Sequence, residues 1–90
     1  MPLKLHDEPS ISPHEFRIIG DDMGARAIFK IAHPVLRDVY GATDAAATEK
    51  ALRQHLDEIK AICERKYAEM PPTRLINIYF EIKAEDLRRG

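Results

Sequence analysis

A single cysteine, Cys63, occurs in the 90 residues. One thiol cannot form an internal disulfide, so a reducing, cytoplasmic setting is expected. No apolar run approaches the length of about 18 residues that a membrane-spanning helix needs. The first ten residues, MPLKLHDEPS, carry acids and prolines where a secretory signal has a long apolar stretch. A dominant charge sign is missing too: 14 Lys and Arg stand against 15 Asp and Glu, a formal net charge of −1. General polyanion binding rests on clustered Lys and Arg, so nucleic acid is an improbable partner. The few glycines form no G-x-G-x-x-G and no G-K-[ST] arrangement, which excludes the common phosphate cradles. Ser10 and Ser12 lie in a proline-containing arm, not at a nucleophile elbow.

What is present suits one small domain. A folded monomer of 10.3 kDa exposes about 5,400 Å², against roughly 15,000 Å² when unfolded, so a core without covalent staples is feasible. Residues 1–13 hold Pro2, Pro9 and Pro13 and read as an N-terminal arm, in which Leu3 and Leu5 could pin a short edge segment. From His14 to Ile19, Phe16 and Ile18 share one face of a strand, with Glu15, Arg17 and Ile19 on the other. Residues 25–32 alternate again. The five residues Gly20-Asp21-Asp22-Met23-Gly24 between the two runs predict a β-hairpin.

His33-Pro34 opens a short helix that Gly41 stops. The spacing of Leu52, Leu56, Ile59, Cys63, Tyr67 and Met70 then predicts one long amphipathic helix to about Glu69. It starts at about Thr43 or Asp44, with residues 43–48 open between helix and loop, and Pro71-Pro72 ends it. Four opposite-charge i, i+4 pairs decorate it: Glu49/Arg53, Arg53/Asp57, Lys60/Glu64 and Arg65/Glu69. A helix of about 26 residues measures roughly 39 Å, and an eight-residue strand about 27 Å. Such a helix must bend, break or find another partner for its excess. Residues 74–83 read as a last strand, with Ile76, Ile78, Phe80 and Ile82 on one face and Asn77, Tyr79 and Glu81 on the other. The expected class is α+β: a three-stranded, largely antiparallel sheet, covered on one face by the long helix, within residues 14–87. Residues 88–90 form a polar tail. Strand order stays open.

The run Ala51-Leu52, Asp57-Glu58-Ile59, Ala61 and Lys66-Tyr67-Ala68 resembles the long helix of a small bacterial family, domain of unknown function fourteen eighty-eight. In that family an Ala–aromatic/Leu pair opens the helix and an acid stands two before an Ile. Phe16, Phe29-Lys30-Ile31 and Leu36 match its hairpin and short helix, and Glu85-Asp86-Leu87 is similar to its ending. Pro71-Pro72 departs from its Gly-rich connection. The resemblance implies a compact α/β domain. The family has no established activity, so it assigns no catalytic residue here.

No constellation of residues demands catalysis. His6, His14, His33 and His55 are scattered. His55 and Glu58, at i, i+3, could share an ion, but a metal site needs more converging ligands. Asp21 and Asp22 lack the further oxygen ligands of a calcium loop. Cys63, on the apolar stripe, is expected to be a buried, inert thiol. No metal, cofactor or catalytic residue is therefore assigned, and no small-molecule ligand can be read. The sheet's other face is the informative surface. Arg17, Ile19, Ile28, Lys30 and Tyr79 make it mildly amphipathic, with Tyr and Arg as suitable interface anchors. The expected function is a non-catalytic interaction module, with a protein partner or a homodimer. The alternatives are a small enzyme or metal-dependent domain with a cleft lined by His33, His55 or Asp22, and a weak nucleic-acid-binding regulator.

Overall fold

The computed structural model describes residues 3–70 and 76–89. In chain order they form β1 (Lys4–Leu5), β2 (Ser10–Ile11), β3 (Glu15–Asp22), β4 (Ala25–Ala32), α1 (His33–Tyr40), α2 (Ala45–Gln54), α3 (Leu56–Ala68), β5 (Asn77–Glu81) and α4 (Ala84–Arg89). The class is α+β, as expected. The sheet corrects the expectation of three largely antiparallel strands. It is open and mixed, in the order β1-β3-β4-β5, with β2 also pairing β3.

The hairpin is longer and tighter than its glycines suggest. Asp21 and Asp22 belong to β3, paired with Arg26 and Ala25. The loop shrinks from five residues to the two-residue turn Met23-Gly24, both with positive φ (48° and 92°). Positive φ at both central residues is the I′ signature, whose twist matches that of the flanking strands. The ladder runs unbroken from Glu15–Ala32 to Asp22–Ala25. It therefore lines up Phe16 and Ile18 with Ile31 and Phe29 on one face, all essentially excluded from solvent.

β5 pairs parallel to β4, with Ile78 beside Ala27 and Phe80 beside Phe29. The direction follows from the path of the helices. Parallel neighbours need a crossover of a dozen or more residues. His33 starts α1 at the far end of β4, stacked on Phe16 at 4.4 Å. Tyr67, near the end of α3, donates from its hydroxyl to Asp22 Oδ2 at 2.5 Å, beside the hairpin turn. The chain has thus travelled back along the sheet, and it re-enters at the start of β4, where the Arg26 N–H donates to the Ile76 carbonyl. Ile76 corrects one facing assignment: it precedes the strand and is 70 % exposed. Arg74, Leu75 and the Pro71-Pro72 stop lie outside the described residues.

The arm holds two strand fragments rather than one. Lys4 and Leu5 pair Asp21 and Gly20, while Ser10 and Ile11 pair Arg17 and Phe16. Leu3 joins the core cluster and Leu5 packs against it. A Cβ on Gly20 would stand 2.8 Å from carbons of both leucines, so the bare glycine backbone is what lets them lie flat on the strand. The terminal residues also gain structure, as α4, whose Leu87 is buried.

The single long helix is corrected to two. Asp44 caps α2 by accepting from the Ala47 N–H at 2.7 Å, so the helix begins at Ala45. At His55 the backbone leaves helical geometry (φ −107°, ψ 15°), and α3 begins at Leu56. The flanking hydrogen bonds survive: His55 N–H to Ala51 O, and Ile59 N–H to His55 O. The junction is therefore a bend, and the His55 ring occupies it stacked on Tyr40 at 4.2 Å. The bend resolves the excess helix length, because each half can lie on the sheet. Leu52 from α2 and Ile59, Ile62 and Cys63 from α3 all reach one core with Phe16, Ile18, Phe29 and Ile31. Each such large side chain contributes about 1.5–3 kcal/mol through burial.

Met23 is 95 % exposed and holds a conformation that costs a side-chain-bearing residue about 1 kcal/mol. Met23→Asn, which tolerates this geometry, is expected to stabilise the fold by a similar amount. A domain this small then gains about 4–8 °C in melting temperature, read by circular dichroism. An unchanged or lower midpoint contradicts the two-residue turn.

Candidate functional site

The hairpin register brings all five expected surface residues onto one face. Arg17 sits beside Lys30, and Lys30 beside Glu81. Ile19 sits beside Ile28, and Ile28 beside Tyr79. Asp21 sits beside Arg26, and Arg26 beside Asn77. The result is an apolar row, Ile19–Ile28–Tyr79, flanked on each side by a charged row. Both isoleucines are half-buried by their neighbours, and Tyr79 is 60 % exposed.

Local pairs order this face. Lys30 Nζ stands 5.1 Å from the Tyr79 ring centroid, so the ammonium lies over the ring and steadies it. Arg17 Nε donates to Glu15 Oε2 at 2.6 Å. That bond holds the Glu15 carboxyl below its ordinary range and directs the guanidinium along the strand. At the far end, Asp21 accepts from Arg26 Nε (3.3 Å) and lies 2.7 Å from His6 Nε2. The His6 contact is the main cause of the lowered Asp21 pKa. It also clips the arm to β3, where the His6 N–H donates to the Ile19 carbonyl. Between Glu15, Lys30, Ala32, Tyr79, Phe80 and Glu81 lies a shallow groove of about 290 Å³.

The residues considered for a cleft are not brought together. His33 is buried against Phe16, His55 stacks on Tyr40, and Asp22 accepts from Tyr67. Among the described residues no three His, Cys, Asp or Glu side chains form a group able to hold a metal ion. No helix of the described residues is long and apolar enough to cross a membrane. The Asp22–Tyr67 bond is invisible in sequence. In sequence the two glycines place Asp22 in a five-residue loop, whereas it belongs to β3 and pairs with Ala25.

Charges on the helices are deployed differently from the four expected pairs. Glu49–Arg53 closes at 3.2 Å, but Arg53 also reaches Glu8 at 3.1 Å rather than Asp57. Lys66 pairs with Asp86 and Arg88 with Asp38, so basic residues tie separate elements together.

Two measurements test these assignments. Asp21 has a folded pKa below its ordinary 3.8, so its contribution to stability is present above that pH. It is lost as the pH falls through the lower folded value. Asp21→Asn should therefore melt below the parent protein at pH 6, and the gap should narrow below pH 3.8. A gap that does not change with pH removes the clip. Burial pushes the Cys63 thiol up to about 12. At pH 8 it should resist a thiol reagent until denaturant opens the fold, and immediate labelling contradicts its burial.

The comparisons with known proteins leave the surface to speak alone: no family model, no curated protein and no solved structure matches the chain.

Proposed function

We propose that the chain is a non-catalytic protein-interaction domain that docks a partner protein on the outer face of its sheet. The observation that carries the reading is the row Ile19–Ile28–Tyr79 between charged rows, with Tyr79 as the exposed anchor. A solvated sheet face commonly alternates to polar residues. This one spends two isoleucines and a tyrosine there and keeps them aligned across three strands. Arg17, Lys30 and Glu81 give the rim both signs of charge, which suits a partner with complementary polar groups better than a polyanion. The resemblance to an uncharacterised bacterial family adds no activity, so the reading rests on the surface.

The test uses a photoreactive amino acid placed at Ile28, in the centre of the row, in cells that express the protein. The expected result is one discrete cross-linked protein adduct. The same probe at Lys50, exposed on α2, should give none. A smear at both positions, or no adduct at Ile28, overturns the reading.

A further inference from the structure

The two edges of the sheet are treated differently. The free side of β3 is covered by β1 and β2, two-residue fragments separated by a stretch containing Pro9. Short strands and prolines are the usual means of blunting an edge against further pairing. At the opposite edge, β5 pairs with β4 alone among the described residues. β5 (NIYFE) contains no proline, lysine or glycine. Its flank carries Ile76, 70 % exposed, and its centre Tyr79, 60 % exposed.

The ladder shows which backbone groups are spare. Arg26 N–H donates to Ile76 O, and Ile82 N–H donates to Lys30 O. The even-numbered residues of this segment therefore point their N–H and C=O groups at β4. Asn77, Tyr79 and Glu81 point theirs away from the sheet.

We propose that β5 pairs antiparallel with β5 of a second copy, with the two-fold axis at Tyr79, joining two sheets into one. This goes beyond the docking of a partner on the sheet face and rests on that reading only where the two faces merge. The register is dictated rather than chosen. Placing Tyr79 opposite the partner's Tyr79 also sets Asn77 opposite the partner's Glu81. All three outward-pointing residues then meet outward-pointing residues, giving about six main-chain hydrogen bonds. A shift of two residues leaves some of these groups without a counterpart.

Side chains agree on both faces. On the outer face, Asn77 meets the partner's Glu81, an amide donor facing a carboxylate, so like charges are not opposed. On the core face, Ile78 meets the partner's Phe80, and exposed Ile76 comes to lie opposite the partner's Ile82. An antiparallel join about an axis perpendicular to the sheet keeps both helical layers on the same side. The row Ile19–Ile28–Tyr79 then continues without a break into the partner's Tyr79, and the docking surface doubles in length.

Cysteine cross-linking tests the geometry, because native Cys63 is buried and does not interfere. Hydrogen-bonded antiparallel neighbours have Cα atoms about 5.5 Å apart, within the span a disulfide accepts. Tyr79→Cys should oxidise to a covalent dimer. Asn77→Cys alone should not, since its copies lie about 14 Å apart along the strands. A mixture of Asn77→Cys and Glu81→Cys should cross-link. Without any cysteine added, sedimentation equilibrium from 1 µM to 1 mM should show reversible dimers with a dissociation constant of about 1–100 µM, as suits a small interface. Asn77→Glu, which sets two acids opposite each other, should weaken association at least tenfold, and adding Glu81→Lys should restore it. A monomer throughout that range, or Asn77→Cys linking as fast as Tyr79→Cys, overturns the proposal. So does a Tyr79→Cys adduct to a different protein, which would assign the edge to a foreign strand. The face and the edge fail separately. A discrete foreign adduct at Ile28 with no dimer leaves the docking face standing, and a dimer with no such adduct leaves only the edge.

Discussion

Eight residues of β3 lie against eight of β4, and the pairing of Glu15 with Ala32 through to Asp22 with Ala25 determines what each face of the sheet carries. A slip of β3 by one residue would send Phe16 and Ile18 to the outside and bring Arg17 in, while Phe29 and Ile31 of β4 stayed on the core side. The register is held from both ends. At one end the Met23-Gly24 turn permits only a two-residue loop; at the other the His33 N–H donates to the His14 carbonyl. The buried cluster and the outer apolar row are two consequences of the same alignment.

The helical layer adapts to that sheet. A straight rod from Ala45 to Ala68 would overrun strands of eight and five residues. The bend at His55 lets α2 and α3 each place a short apolar stripe on the core, and the Tyr40–His55 stack fills the angle. Of the expected helix pairs, Glu49–Arg53 closes within α2. Arg53 also finds Glu8 in the arm, and other basic residues join α3 and α1 to α4. Exposed pairs of this kind add little stability singly.

Much of the core was legible because period-2 alternation and i, i+3, i+4 spacing are local properties. Phe16, Ile18, Phe29, Ile31, Leu52, Ile59 and Cys63 follow directly from those periods. All five candidate surface residues were legible for the same reason, since they alternate with the core positions. Ile76 continues the alternation in sequence but stands just before β5, where its side chain is exposed. In sequence the glycines at 20 and 24 look equivalent and make the predicted hairpin loop too long. Gly24 serves positive φ, whereas Gly20 serves the close approach of Leu3 and Leu5 from a distant segment.

The sequence by itself determined the class, the hairpin, a helical region covering the sheet and which side chains share a face, because each depends on neighbours within a few residues. Only the tertiary structure decided that β5 runs parallel to β4, that the arm covers one sheet edge while among the described residues β5 pairs with β4 alone, and that Tyr67 meets Asp22. These depend on where a crossover of more than forty residues, from the end of β4 to the start of β5, returns the chain. No local period encodes that path. It is settled by burying one apolar face of the sheet under two short helices instead of one long one.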